Sequence, residues 1–474
     1  MKTRKYDMTV IGAGSGGLPA VRIATALGAN VLLIDKEKLG GDCLHYGCVP
    51  SKSLIHVARV VHQAQEASNS GLTSAHLGVD ILKVNEYVQG VINRVGEAEK
   101  MYVEGVTVKF GAVRFNSPTE LLLDSEKVTS RTTIIATGSH PAIPPLEGLA
   151  EVGYYTNNDL FDLTHLPASL IVIGAGPIGV EMAQAFARLG TRVTLISRSR
   201  HILPKEDPDA SSTLARVLIS EGIELVTGAT CTKVSRNKDK KVVTVIQDDK
   251  KISFEADEIL IASGRQPNVT GLNLEAARVA YDNKGIKVDA YLRTSTPNIF
   301  AIGDVLGGYL FTHVAAYQAG VAVRNALVPL GKKKVDYRVV PWCTFTDPEV
   351  ARVGLTLEAA AKLYAKVREE IFPMADVDRA QAENEPVGFI KFILAGKRNE
   401  LVGAHIVGAR AGELLGELTL AIQHHMTIND ILSTIHAYPT ITTAIQQAAF
   451  EAYLESSAAA SNRKIVRAML NFRP

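Results

Sequence analysis

YDMTVIGAGSGGLPAVRIATALGANVLLIDKE, from Tyr6 to Glu37, is the stretch that decides the fold. A β-rich apolar run leads directly into GxGxxG (Gly12, Gly14, Gly17), a helical repeat follows, and a second apolar run closes at Asp35. That order predicts strand, glycine turn, helix, strand. In such a unit the first glycine permits the tight turn and the second lets backbone approach a pyrophosphate. The third packs helix on strand, and the helix N-terminus offers unpaired N–H groups to phosphates. The pattern recurs in SLIVIGAGPIGVEMAQAFARLGTRVTLISRSR, Ser169 to Arg200, with Gly174, Gly176 and Gly179. One chain is therefore expected to hold two dinucleotides.

The rest of the sequence divides around these two units. A chain of 474 residues exceeds one hydrophobic core and should form several domains. Hydrophobic residues at 46% and charged residues at 21% fit a soluble enzyme, and a net charge of +2 points to neither nucleic acid nor a membrane surface. The basic start lacks the apolar run of a signal peptide, and no stretch reaches the length of a membrane span. Four cysteines over this length fit a reducing cytoplasm. The expected architecture is α/β: two Rossmann-like dinucleotide-binding domains and a C-terminal α+β dimerisation domain. The FAD domain is assigned to 1–150 and 276–338, the NAD(P) domain to 151–275, and the interface domain to 339–474. In the last, VGFIKFIL and LVGAHIVG alternate as antiparallel strands covered by helices on one side. The closing SNRKIVRAMLNFRP reads as a packed amphipathic helix, with docking to a partner as the alternative.

The residues after each unit separate the cofactors. Asp35 stands where a carboxylate accepts a ribose 2′-OH, which suits FAD or NAD. The second unit ends in Ser197, followed by Arg198 and Arg200. Loss of the anion and gain of guanidinium groups suits a 2′-phosphate, so NADPH is favoured and NADH kept as the alternative.

GGDCLHYGCVPSK, Gly40 to Lys52, holds two of the four cysteines. A metal clamp, a crosslink and an electron relay are all conceivable. The spacing of Cys43 and Cys48 suits one helical turn, and the accompanying Cys and His ligands of a zinc site are not in view. A helix start and Lys52 nearby would lower the thiol pKa values. Cys231 and Cys343 stand alone and read as small core residues.

The segment resembles the redox motif GGTCxNxGCxPSK of the flavin-dependent pyridine nucleotide-disulfide oxidoreductases, which include mercuric reductase, dihydrolipoamide dehydrogenase and glutathione reductase. ATGSHPAIPPLEG (136–148), ASGRQPN (262–268), FAIGDV and FTDPEVARVGLT resemble further family segments in the same order. The resemblance implies a homodimer with FAD and a redox-active Cys43–Cys48 disulfide. It makes Cys48 the flavin-side thiol and Cys43 the interchange thiol, and pairs Lys52 with Glu181 near the flavin. It also implies flavin contacts from Gly41, Asp42, Val113, Thr137, Gly138, Gly303 and Asp304. No metal is expected as a resident cofactor.

The chain departs from the pattern near its end. The family's disulfide reductases carry His-Pro-Thr-x-x-Glu there, whereas this chain has HAYPTITT, with Tyr438 and Thr443 in the two acid–base positions. His436 lies two residues early, at the place of a histidine that is not the base. A phenol with a pKa near 10 serves poorly as a base for thiols at neutral pH. Mercuric reductase has tyrosine at this place, but the C-terminal cysteine pair it uses to pass metal inward has no counterpart before MLNFRP. The expectation is a mercuric-reductase-like enzyme acting on a metal ion, disulfide or other small electrophile. A dihydrolipoamide dehydrogenase or glutathione reductase with a relocated base, and a flavoprotein sensor, are the alternatives.

Overall fold

The computed structural model describes residues 4–74 and 77–471. They divide into two compact units: Met1–Gly174 with Arg188–Val193 and Cys231–Asp336, and Ala175–Ala187 with Thr194–Thr230 and Tyr337–Pro474.

In the first unit, strand β1 (Arg4–Ile11), helix α1 (Gly17–Ala26) and strand β2 (Val31–Asp35) follow the expected order. β1 pairs in parallel with β2, Val10 opposite Leu33. The sheet continues through β3 (Thr107–Phe110), β4 (Val113–Ser117), β5 (Glu120–Leu123) and β6 (Glu126–Ile135), in the order β3-β2-β1-β6-β5-β4. The strand Ile299–Ala301 joins β6 in parallel, returning chain from far along the sequence to this sheet. β1 and β2 are buried on both faces, as a parallel sheet between layers requires.

The two glycine turns are built alike within this unit. Gly12 has φ +104°, and a Cβ there would stand 2.3 Å from Ala136 O; Gly174 has φ +112°, and a Cβ would stand 2.4 Å from Ala262 O. Side chains are excluded twice over, by the left-handed backbone and by the neighbouring strand. The strand Ser169–Ile173 pairs in parallel with Glu258–Ile261.

The second unit contains all but the last residue of the helix Pro177–Arg188, a parallel pairing of Thr194–Ile196 with Glu224–Val226, and a five-stranded antiparallel sheet. The strands Phe389–Ala395 and Glu400–Gly408 form the middle of that sheet, with Ile390 opposite Ile406 and Lys391 opposite His405. One face carries Ile390, Phe392 and Leu394 into a core with the helices Ala411–Gln423 and Thr443–Leu454. The antiparallel sheet is as expected, but helices pack on both of its faces: Ala360 of the helix Leu357–Leu363 lies against Ile393, Ala395 and Val402 on the other side.

The other face carries a polar row: Trp342, Arg352, His405 and Lys391 face one another across four strands. Lys391 bonds Asp207 at 2.9 Å and Asp209 at 2.5 Å, at the start of the helix Pro208–Ser220. Burial opposes the Lys391 charge, but the two aspartates outweigh it and raise the pKa. His405 goes the other way, to about 4, through burial first and Arg352 second.

The terminal helix Ser457–Asn471 differs from the packed helix expected. Ser456 and Ala459 are buried, but residues 461–471 are all exposed. Phe472, Arg473 and Pro474 lie outside the described residues. No helix among the described residues is long and apolar enough to cross a membrane.

Candidate active site

The cysteine motif enters its site against the first glycine turn. Gly40 N–H donates to Ala13 O at 2.9 Å. A Cβ on Gly41 would stand 2.6 Å from the Gly14 Cα, so the close approach needs glycine. Cys43 lies on helix α2 (Gly41–His45), and Cys48 begins helix α3 (Cys48–Gln65). This corrects the single helical turn expected for the pair. Gly47, at φ −117° and ψ −110°, breaks the helix between them, and the two thiols meet across the break.

Both cysteines are thiols; Cys43 is half-buried and Cys48 exposed. The hydrogen bond with Cys48 raises the Cys43 pKa far above the usual thiol range, and burial adds to it. Ser15 of the glycine turn and Thr312 bond the same thiol and pull the other way. The expected lowering is therefore not what Cys43 shows: the neighbouring sulfur and burial outweigh the Thr312 and Ser15 hydroxyls. Thr312 opens the helix Thr312–Leu327, and its Oγ1 lies 3.5 Å from Cys48 Sγ. Lys52 Nζ reaches Ser51 Oγ at 3.4 Å, one turn into α3. His45 bonds Leu39 O through Nε2 at 2.7 Å, a structural role.

Behind the cysteines lies an ionic cluster centred on Arg265. Its guanidinium stands 3.0 Å from Asp42 Oδ1 and 3.8 Å from Asp304 Oδ2, and its Nε donates to Ser139 Oγ at 2.7 Å. Ser139 donates in turn to Asp304 at 2.6 Å. Burial raises the Asp304 pKa, against the pull of Ser139 and Arg265. Thr137 and Asn268 exchange two 2.8 Å bonds, and Asn268 N–H donates to Gly138 O at 2.9 Å. These bonds lock ATGSHP onto GRQPN. Gly303 N–H donates to Gln318 at 2.6 Å. Val113 points into the sheet core. In the sequence Arg265 sits inside GRQPN with nothing local to assign it a role, and Ser15, Ser139 and Thr312 carry no motif signal of their own. Each acts through partners more than a hundred residues away or through a short hydroxyl that no local pattern marks.

A dinucleotide fits this cradle. Asp35 fixes the turn by accepting Ala13 N–H at 2.7 Å, with Glu37 N–H on its other oxygen at 2.9 Å. A carboxylate has further lone pairs for a ribose hydroxyl. At Gly176 a Cβ would meet nothing within 4 Å. Protein packing does not demand glycine there, whereas a close-approaching pyrophosphate would. Gly179 is buried in its helix. Ser197 is buried at its strand end, N–H to Val226 O at 2.8 Å, while Arg198 and Arg200 are exposed beyond it.

In the second unit, Glu181 is buried and accepts Phe345 N–H at 2.9 Å. Tyr438 is 72% exposed and donates to Asp378 Oδ2 at 2.9 Å, and that hydrogen bond raises its pKa further above the phenol range. Thr443 donates to Thr440 O. His436 has Nε2 at 2.9 Å from Glu417 and Nδ1 at 3.0 Å from Thr434 O. Cys231 is partly buried and its pKa is pushed up to about 11 by that burial, while Cys343, also partly buried, packs beside the C-terminal core.

Two glycine cradles, a thiol pair seated on the first and an antiparallel C-terminal sheet define a flavoprotein oxidoreductase with a redox-active cysteine pair. Residues 6–320 match the pyridine nucleotide-disulphide oxidoreductase family and residues 340–449 its dimerisation domain, and the chain belongs to that family. It is 34% identical to mercuric reductase of Staphylococcus aureus, covering 94% of this chain and 82% of that one. With dihydrolipoyl dehydrogenase of Thermus scotoductus the identity is 36%, covering 95% and 97%. A solved Cu(II) complex of the HOCl-induced flavoprotein disulfide reductase RclA from Escherichia coli is 27% identical, with TM-score 0.84, covering 94% of this chain and 99% of that one.

The Arg265 cluster carries a prediction. Arg265→Met leaves Asp42 and Asp304 without their shared cation, at a cost of roughly 2 kcal/mol, or about thirtyfold weaker flavin retention. The ratio of flavin to protein absorbance after gel filtration checks it.

Proposed function

We propose that this enzyme takes electrons from NADPH and delivers them through Cys43 and Cys48 to an acceptor that needs little acid–base help. The acceptor is a thiol-bound metal ion such as Hg(II), or else a reactive disulfide or other small electrophile. The carrying observation is the seating of the thiol pair: Cys43 bonded by Ser15 of the glycine turn, and Cys48 beside Thr312. FAD, held by the Gly12–Gly17 turn, Asp35 and the Asp304 segment, would supply the hydride-accepting and electron-passing chemistry when bound. The segments 1–150 with 276–338 would serve FAD, 151–275 the nicotinamide cofactor and 339–474 the subunit interface.

Within this reading Cys48 is the flavin-side thiol, consistent with its place beside Thr312, and Cys43 meets the acceptor. Reduction of the pair consumes two electrons and two protons and leaves two thiols. Reducing Hg(II) returns the two electrons, re-forms the disulfide and releases the protons. No base is needed to activate an incoming thiol. The arrangement around Tyr438 supports this: its phenol is raised in pKa and tied to Asp378. His436 is an unsuitable substitute, because both ring nitrogens already face acceptors of the same subunit. The pairing of Lys52 with Glu181 rests on the family resemblance alone.

Relatives named for mercury reduction and for dihydrolipoyl oxidation support weighing a metal ion against a disulfide, so the discriminating experiment is an NADPH turnover panel of Hg(II), Cu(II), lipoamide and glutathione disulfide. Faster turnover of a metal ion than of either disulfide supports the proposal, and robust lipoamide turnover would sink the claim about Tyr438. For the nucleotide, Arg198→Glu is expected to lower the ratio of kcat/KM for NADPH to that for NADH by about tenfold or more. An unchanged ratio would make the basic loop irrelevant.

A further inference from the structure

The terminal helix Ser457–Asn471 carries one face that starts buried and then continues past its support. Its first turns are anchored on the helix Thr443–Leu454: Ala459 is buried, Asn462 donates to Tyr453 OH at 3.0 Å, and Arg463 donates to Leu454 O at 2.9 Å. At 100° per residue, Ile465, Met469, Val466 and Leu470 fall within an arc of about 140°, and Ala459 projects into the same arc. The packed face and the apolar stripe are thus one face. Beyond Asn462 that stripe is open: Ile465 and Val466 are each 52% exposed, Leu470 55% and Met469 66%. Arg463 and Arg467 follow the Leu470 edge of that arc, while Lys464 projects from the opposite face.

An adjoining surface on the same unit has the complementary chemistry. On the helix Thr443–Leu454, Phe450 is 47% exposed, and Glu451 and Glu455 beside it are exposed too. This helix follows directly on the Tyr438 segment, and the match to the family's dimerisation domain ends at residue 449. The basic-apolar arm therefore lies beyond the matched dimerisation segment, on the helix that follows it.

We propose that residues 463–471 dock on the dimerisation domain of a second copy of this chain. The Ile465–Leu470 stripe covers the surface around Phe450 of that copy, and Arg467 at its edge faces Glu451 and Glu455 of that copy. A two-fold axis makes the exchange reciprocal, each copy giving one arm and receiving one. A membrane surface fits less well, because the stripe spans under two turns among the described residues. The inference rests on the homodimer reading and adds an interface element beyond the family's dimerisation domain.

The test uses flavin-loaded protein and sedimentation velocity from nanomolar to micromolar concentration. A chain ending at Ser461 and the variant Val466→Glu should each dissociate at about a hundredfold higher concentration than wild type, with flavin content unchanged. Arg467→Glu should weaken the dimer, and adding Glu451→Arg should restore it, a rescue that general destabilisation would not produce. Unchanged dimer affinity in the truncated chain overturns the proposal. So does loss of binding to phosphatidylglycerol vesicles with dimerisation intact. A wild-type chain that is monomeric throughout would instead overturn the homodimer reading itself.

Discussion

Cys48→Ser is expected to lower turnover with Hg(II) by on the order of a thousandfold or more while leaving the rate of flavin reduction by NADPH within a few-fold of wild type. The asymmetry follows from the site. Cys48 stands at the start of α3 with Thr312 3.5 Å away, and Cys43 stands on α2 against Ser15. Removing one sulfur removes the disulfide and with it the route to the acceptor. The cradle made by Gly12, Asp35 and the Arg265 cluster is untouched. Stopped-flow absorbance of the flavin and steady-state NADPH consumption measure the two halves separately. Equal losses in both would mean that the serine had damaged the cofactor site, and no loss in either would mean that electrons leave by another path. If Cys48 is the flavin-side thiol, the same variant should also lack the long-wavelength absorbance expected of a thiolate against the flavin.

Lys391→Ala is expected to destabilise the fold by about 3–5 kcal/mol, the usual cost of leaving one partner of a buried ion pair alone. The lysine side chain is 4% exposed and its partner Asp207 6%, so solvent does not soften the loss. Asp209 and Glu369 add further acceptors, at 2.5 and 3.5 Å. Removing the ammonium leaves carboxylates gathered at a helix start with only the backbone N–H groups to hold them. Adding Asp207→Asn to Lys391→Met should recover most of the loss, because a neutral pair needs no buried counter-charge. Denaturation in guanidinium chloride, followed by the single tryptophan Trp342, reads the effect directly, because Trp342 belongs to the same row and donates to Glu206 at 2.6 Å. A change below about 1 kcal/mol would show that water reaches the cluster.

Much of this was visible in the amino-acid order, for physical reasons that differ from element to element. Gly12 and Gly174 announced themselves because a tight turn under a strand tolerates no side chain, and both occupy left-handed backbone against a neighbouring carbonyl. The strands around Ile390 and Ile406 were legible from alternation and length. The cysteine segment was misread as one turn because spacing alone does not reveal that Gly47 breaks the helix. The raised Cys43 pKa was missed for a related reason: a helix end and a nearby lysine are local features, whereas the opposing sulfur is set by how two helices meet. Arg265 and Lys391 show a third limit. Their partners come from Asp42, Ser139 and Asp304 in one case and Asp207 and Asp209 in the other, and no periodic pattern links residues so far apart. The terminal helix was correctly read as amphipathic, but amphipathicity does not say which body covers the apolar face.

The central claim is that electrons from the nicotinamide come to rest on Cys43 and Cys48. Counting thiols under denaturing conditions, before and after anaerobic NADPH addition to the air-oxidised enzyme, tests it most directly. The account predicts two additional thiols per subunit, mapped by alkylation to Cys43 and Cys48, with Cys231 and Cys343 unchanged. Flavin reduction with no new thiol at either position would contradict it.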